Sequence, residues 1–359
     1  MVKQKRDYIC VAAVAILLVL RGASTPALAE GDTVTKVNDH AEQAFAYWTE
    51  AAVGAVTPMP LLSKEGVPSL PQSFAAPGPA GAVAGRWPGS MAKRAPIVLD
   101  ESSAEPKIFG GAQWYSYPPP HTRFFPRFGL TYFPHSTLGK LFFTDGLFNY
   151  VCSAAAMTCG NLNLVMTAGH CCAAGNGFTW YDDWLFVPAC FGSNCILGGA
   201  GAPFGVWDWE SVSVPTGWFT SGDFARDVCF LETAPKSGLE LHQVTGALGF
   251  AWNQTQPIHY TMTGWPAEAP FSGGNLVFEL ASTAELDGSE IPNTVGAGNF
   301  MTGGSSGGAW IKDYTQGTTG LYWNGLNSYK YISPARPAEM FGPYIDTTIF
   351  NIWANLGCQ

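Results

Sequence analysis

Apolar and polar positions change rhythm twice along the chain. Residues 38–56, NDHAEQAFAYWTEAAVGAV, set Ala41, Ala44, Phe45, Trp48 and Ala52 near one helical face behind the cap-capable Asn38 and Asp39, which predicts a helix. Residues 57–90 lose that period and fill with Pro, Gly, Ala and Ser, the composition of a linker or pro-region. From about residue 130 the texture becomes short strand-like runs cut by turns: STLGKLFFT, NLNLVMTA, WLFVPAC, WESVSVPTGW, DVCFLET, IHYTMTGWP, NLVFELAST, GGAWI and GLYWNGLNSY. The end, GPYIDTTIFNIWANLG, puts Ile345, Ile349, Ile352 and Trp353 on one side and predicts a closing helix over about 345–357. The reading is a mainly β barrel or sandwich, without internal repeats.

Composition agrees with a packed domain. Of the 359 residues 47% are hydrophobic and 13% charged, enough apolar surface to bury a substantial core, while 42 Gly and 26 Pro suit many turns. The net charge of −9, with no basic stripe among the aromatics, argues against a nucleic-acid partner. At the N-terminus a basic MVKQKRD precedes an apolar YICVAAVAILLVL and the small-residue ending Ala27-Leu28-Ala29, the pattern of a secretory signal cut after about Ala29. No later segment is long and apolar enough to span a bilayer, so the expected product is secreted, extracellular and free of the membrane after signal removal.

Secretion decides how the cysteines are read. Cys10 falls in the signal, leaving Cys152, Cys159, Cys171, Cys172, Cys190, Cys195, Cys229 and Cys358, an even set in an oxidising compartment. Spacing suggests Cys190 with Cys195, and Cys152 or Cys159 with Cys171 or Cys172, with Cys229 and Cys358 as the remainder. Adjacent Cys171 and Cys172 cannot easily turn both sulfurs onto one tetrahedral zinc, so a disulfide framework is preferred over a metal site.

Three stretches carry chemistry. VMTAGHCC holds His170, GDFARDVCFLE holds Asp227 ahead of an apolar run, and MTGGSSGGAW holds Ser306 among Gly303, Gly304, Gly307 and Gly308. A histidine base needs a group to activate and a group to orient it. Glycines around a serine allow a tight turn that bares the hydroxyl and aims backbone N–H groups at a developing oxyanion. Asp223 and Ser305 are the neighbouring rivals. Asp223 lacks the apolar strand directly after it and reads as a loop cap, and the two glycines after Ser306 favour it over Ser305.

The order His, Asp, Ser in these contexts resembles the chymotrypsin-like serine peptidases. TAGHC matches that family's histidine motif, RDVCFLE resembles its aspartate strand, and GGSSGG resembles its nucleophile loop. The resemblance implies His170 as general base, Asp227 as its orienting partner, Ser306 as nucleophile, and an oxyanion hole from the N–H groups of Gly304 and Ser306. It implies an all-β fold of two antiparallel six-stranded barrels with a C-terminal helix and an N-terminal pro-region. The divisions are signal 1–29, propeptide or linker 30–94, and a peptidase domain 95–359, with barrels over about 130–240 and 241–345. A disulfide from Cys171 to an earlier strand would pin the His170 loop. FPHSTLGKLFF, TGWPAE, TGGSSGGAW and GPYI look closest to the secreted microbial branch related to glutamyl endopeptidases.

The same resemblance sets further expectations. Lys107–Gly111, KIFGG, imitates a trypsin activation site, but Ser305 stands where the ion-pairing aspartate would be, so a cut after Lys93-Arg94 is the preferred activation. Phe300, Asn327, Ser328 and Lys330 are the candidate substrate-pocket residues, with no acid at the pocket floor for a basic side chain. No metal or organic cofactor is required; the partner is a peptide or protein substrate, and the chain is expected to be a monomer. His121, His135, His242 and His259 read as surface or hydrogen-bonded structural histidines, the tryptophans as packing, and the Asn253–Thr255 sequon as incidental. The competing class is a non-catalytic secreted binding protein that keeps the fold, its cleft blocked by a segment such as residues 95–129.

Overall fold

The computed structural model describes residues 33–39, 43–66, 78–86, 122–124, 129–192, 194–287, 294–314, 320–333 and 337–359. The expectations for the signal, Lys93-Arg94, Lys107–Gly111 and His121 lie outside the described residues.

The described residues before 87 are built into the molecule rather than strung beside it. They supply strand β1 (Thr33–Val37), helices α1 (Gln43–Tyr47) and α2 (Glu50–Gly54), and strands β2 (Val56–Pro58), β3 (Leu62–Glu65) and β4 (Gly81–Val83), each strand paired with the main body. The single helix expected over 38–56 is thus two, broken after Tyr47, where Thr49 caps α2 through its side chain to the Ala52 N–H. The break lets Trp48 bury its ring, at 6% exposure, edge-on to Phe142 and donate Nε1–H to the Asp183 carbonyl at 2.7 Å. The Pro-rich stretch expected to be linker holds β2, β3 and β4, because single-file pairing onto existing sheet edges needs no apolar periodicity of its own.

Strand β5 (Thr122–Phe124) precedes the first barrel: β6 (Leu138–Thr144), β7 (Asn149–Ala156), β8 (Leu164–Thr167), β9 (Asp182–Pro188), β10 (Trp207–Pro215) and β11 (Cys229–Thr233), with helix α3 (Thr216–Ser221) after β10. These six strands run in the order β10-β11-β8-β7-β6-β9, all antiparallel, and pairing of β9 with β10 closes the ring. Strand β6 is buried along its whole length, its inner face by the barrel core and part of its outer face by Trp48.

After helix α4 (Leu241–Thr245) the second half contributes β12 (Gly249–Trp252), β13 (His259–Gly264), β14 (Val277–Asp287), β15 (Thr294–Gly298), β16 (Ala309–Lys312), β17 (Tyr322–Leu326), β18 (Tyr329–Ser333) and β19 (Glu339–Pro343). The sheet runs β18-β19-β15-β14-β13-β16-β17 and wraps around Tyr260, Met262, Val295, Trp310 and Met340. Its two ends approach so closely at Gly342 that a Cβ there would sit 2.1 Å from the Leu326 carbonyl oxygen. Helix α5 (Thr347–Trp353), capped by Asp346 accepting from the Ile349 N–H, closes the chain as expected. The fold is all-β with two barrels and a C-terminal helix.

Four disulfides join Cys152 to Cys171, Cys159 to Cys358, Cys172 to Cys229 and Cys190 to Cys195. Two are pairings that spacing favoured. Cys229 and Cys358 are not partners: β11 lies beside β8, which puts Cys229 next to Cys172, and the end of the chain folds back to Cys159.

Candidate active site

His170 sits in a single 3-10 turn, Gly169–Cys171, directly after β8. Strand β7 and the turn are cross-linked by Cys152–Cys171, and Cys172–Cys229 ties the same turn to β11, two residues past Asp227. The histidine is therefore stapled on both sides. Asp227 ends the 3-10 turn Phe224–Arg226, whose cap is Asp223, accepting from the Ala225 N–H at 2.9 Å. That is the loop-capping role expected of Asp223.

The buried Asp227 carboxylate, 0% exposed, serves His170 twice. Oδ1 accepts the His170 backbone N–H at 2.7 Å and Oδ2 lies 2.8 Å from His170 Nδ1, fixing both the position and the tilt of the ring. With Nδ1–H donated to the carboxylate, a neutral imidazole presents a bare Nε2 lone pair. Trp218 walls one side of the imidazole, centroid to centroid 6.3 Å, and its indole N–H is held by the Ala173 carbonyl at 3.0 Å.

Ser306 comes from the loop between β15 and β16, and its backbone carbonyl accepts the Ser153 N–H at 2.8 Å. Ser153 adjoins Cys152, whose disulfide partner Cys171 adjoins His170, so Ser306 and His170 are separated by one short, covalently braced path. Ser306 Oγ and His170 Nε2 are both buried and neither has a hydrogen-bond partner, an uncommon state for polar atoms that needs an explanation. The loop demands glycine. Gly304 has φ +87°, and a Cβ on it would lie 2.9 Å from the Trp265 carbonyl; at Gly307, φ +77°, a Cβ would meet Thr167 Oγ1 at 2.0 Å. Ser305 is turned away, its Oγ donating to the Thr302 carbonyl at 2.7 Å.

The four candidate pocket residues make the following contacts. Asn327 is fully buried under the Ser306 loop, donating to the Thr263 and Ser305 carbonyls and accepting from Trp310 Nε1 and Asn299 Nδ2. Ser328 donates its hydroxyl to Asp227 Oδ2 at 2.6 Å. Lys330 Nζ is engaged by the Asn299 and Pro337 carbonyls, and the Phe300 N–H goes to the buried Glu279 carboxylate at 2.6 Å. Sequence reasoning missed the Ser328 contact with Asp227 because a Ser-Tyr pair at the start of a strand carries no signal of a partner 101 residues away. It also missed Ser153, whose Oγ donates to the Gly304 carbonyl and accepts the Trp265 N–H, each at 2.9 Å.

His135 and His242 are structural, as their lack of motif suggested. His135 bonds the Gly129 carbonyl and the Tyr314 hydroxyl, and His242 Nε2 the Leu164 carbonyl; burial pushes each pKa down to about 4. Asn253 is fully buried and donates to Pro79 and Thr347, which takes the sequon out of reach of a glycan. Among the described residues no group of His, Cys, Asp and Glu is placed to hold a metal ion.

No protein-family model matches the sequence, and no curated protein matches it. Solved structures do. The thermostable serine protease AL20 from an extremophilic microorganism is 32% identical, with a TM-score of 0.55 over 62% of this chain and 97% of its own. The protease Anisep from Arthrobacter nicotinovorans is likewise 32% identical, TM-score 0.55, over 62% of this chain and 95% of its own. A Glu endopeptidase shares the fold at 16% identity and TM-score 0.51, over 66% and 97%. With the two-barrel fold and these relatives, the chain belongs to the chymotrypsin-like serine proteases.

Proposed function

We propose that the protein is a secreted serine endopeptidase working through an acyl-enzyme. Ser306 Oγ attacks the substrate carbonyl as His170 Nε2 takes its proton, and the imidazolium then protonates the leaving amine; water repeats the sequence in reverse to release the acid. Asp227 stabilises the imidazolium without itself being protonated, and the N–H groups of Gly304 and Ser306 receive the oxyanion. The pairing of His170 with Asp227 through both ring and backbone carries this reading, since a structural histidine needs only one of the two contacts. The divisions that go with it are a signal over 1–29, a propeptide over 30–94 and a monomeric peptidase domain over 95–359. No helix among the described residues is long and apolar enough to cross a membrane.

The experiment is intact mass after incubation with a serine-directed fluorophosphonate, on protein whose leader has been cleaved, beside a Ser306→Ala control. A single adduct, absent from the control, supports the reading. No adduct on folded, cleaved protein would promote the non-catalytic binding protein instead.

A further inference from the structure

Ser306 Oγ and His170 Nε2 are partnerless and buried together. Ser306 is 0% exposed and His170 2%, so in the full chain a substrate cannot reach either. Residues 56–65 hold β2 and β3 with three residues between them, and each strand pairs with a different half of the molecule. On one side β2 pairs with the start of β7, in register Val56 with Asn149 through Pro58 with Val151, reinforced by Thr57 Oγ1 donating to the Asn149 carbonyl at 3.1 Å and the Met59 N–H to the Val151 carbonyl at 3.0 Å. On the other side β3 pairs with β18, Leu62 opposite Tyr329, and the Leu62 N–H donates to the Ser328 carbonyl at 3.2 Å. Between these anchors the Met59 carbonyl accepts the Gly304 N–H at 2.8 Å.

We infer that the cleft is a groove for an extended peptide, lined by the edges of β7 and β18, and that residues 56–65 of the chain itself fill it as an intramolecular inhibitor. The inference rests on the protease reading above. Met59 places a ground-state carbonyl on one of the N–H groups assigned to the oxyanion, so the segment competes for the reacting centre and not merely for the surface around it. Its side chains anchor it: Leu62 joins the Tyr329, Tyr331 and Phe341 cluster, and Lys64 Nζ lies 5.6 to 5.8 Å from the ring centroids of Phe224, Tyr329 and Tyr331. One feature keeps this occupant from being a good substrate, and another eases its release. The bond following the seated carbonyl is Met59–Pro60, whose nitrogen carries ring carbons in place of a proton. Both ladders are parallel, a pairing slightly weaker per residue than antiparallel, which suits a segment that must later leave. The same edges would take a substrate by main-chain hydrogen bonds, as strand addition does generally.

The test follows fluorophosphonate labelling of Ser306 in the uncleaved full chain, comparing wild type with Leu62→Asp and the milder Lys64→Glu, each checked for folding by circular dichroism. Wild type is expected to label slowly. Leu62→Asp should label at least tenfold faster and Lys64→Glu by an intermediate factor, and a synthetic peptide of residues 55–66 added to Leu62→Asp should slow it again. Hydrogen exchange on the wild type supplies a readout independent of the variants: the Met59, Leu62 and Gly304 amides should be protected together and lose protection together on leader cleavage. Uncleaved wild type that labels as fast as cleaved protein, or a Gly304 amide unaffected by cleavage, would overturn the inhibitor while leaving the protease intact. Absence of labelling in every form, cleaved protein included, would overturn the protease reading and the inhibitor with it.

Discussion

Ser328 Oγ donates to Asp227 Oδ2 over 2.6 Å, on the oxygen that also faces His170 Nδ1. Ser328 lies at the head of β18 in the second barrel and Asp227 in a loop of the first, so this contact carries alignment of the His–Asp pair across the cleft. Ser328→Ala is expected to lower kcat of the leader-free enzyme about tenfold with little change in KM, and to cost ~1–3 kcal/mol of stability for a buried acceptor that loses one donor. A KM effect with unchanged kcat would instead support Ser328 as a substrate-pocket residue.

The Gly304 peptide is held from both ends. Its carbonyl accepts from Ser153 Oγ, and its φ of +87° is one that a side chain rarely tolerates. Gly304→Ala is expected to twist the N–H away from the oxyanion and lower kcat by about 10²–10³, the usual loss of one such donor. Ser153→Ala, which removes the brace but not the donor, is expected to lose only about tenfold. Steady-state kinetics on a small ester substrate separates the two.

How much of this could be read from the chain depends on what each residue answers to. His170, Asp227 and Ser306 stand in local motifs because the chemistry proposed for them constrains their immediate neighbours. Strands β6, β8, β9, β10, β11, β13, β14, β16 and β17 announced themselves by β-branched and aromatic runs. Strands β7 and β15 did not: β7 carries the run Ala154, Ala155 and Ala156 with no β-branched or aromatic signal, and Gly296 is bare because a Cβ would meet the Phe341 ring at 2.5 Å. β2 and β3 were illegible for another reason. They are strands only because β7 and β18 offer edges, so nothing in TPMPLLSKE itself encodes them.

The disulfides should contribute unequally. Cys159–Cys358 closes a loop of 199 residues and Cys190–Cys195 one of 5. Chain-entropy reasoning gives about 5 kcal/mol for the former and about 2 kcal/mol for the latter. The double variant Cys159→Ala/Cys358→Ala is therefore expected to lower the urea midpoint about two and a half times as far as Cys190→Ala/Cys195→Ala. Equal shifts would mean that native-state strain, not loop length, sets the order.

Acid sensitivity should come in part from two histidines remote from the catalytic chemistry. His135 Nδ1–H donates to the Gly129 carbonyl, leaving Nε2 to accept from Tyr314, so a second ring proton would have to displace the Tyr314 hydroxyl hydrogen from Nε2. His242 Nε2–H is taken by the Leu164 carbonyl, and nearby Arg86 further disfavours a positive ring. Burial is the main cause in both, lowering each from 6.5 to about 4. Folded, these rings stay neutral until about pH 4; unfolded, they take up protons near 6.5. Between those values the unfolded chain binds more protons, so stability is fully present above about pH 6.5 and falls as the pH drops toward 4. The slope reaches up to ~1.4 kcal/mol per pH unit for each histidine. Urea unfolding at intervals from pH 7 to pH 4 should show a shallower loss for His135→Gln and for His242→Asn than for wild type, whatever each substitution costs at neutral pH. Parallel curves for variant and wild type would place the acid sensitivity in the carboxylates alone.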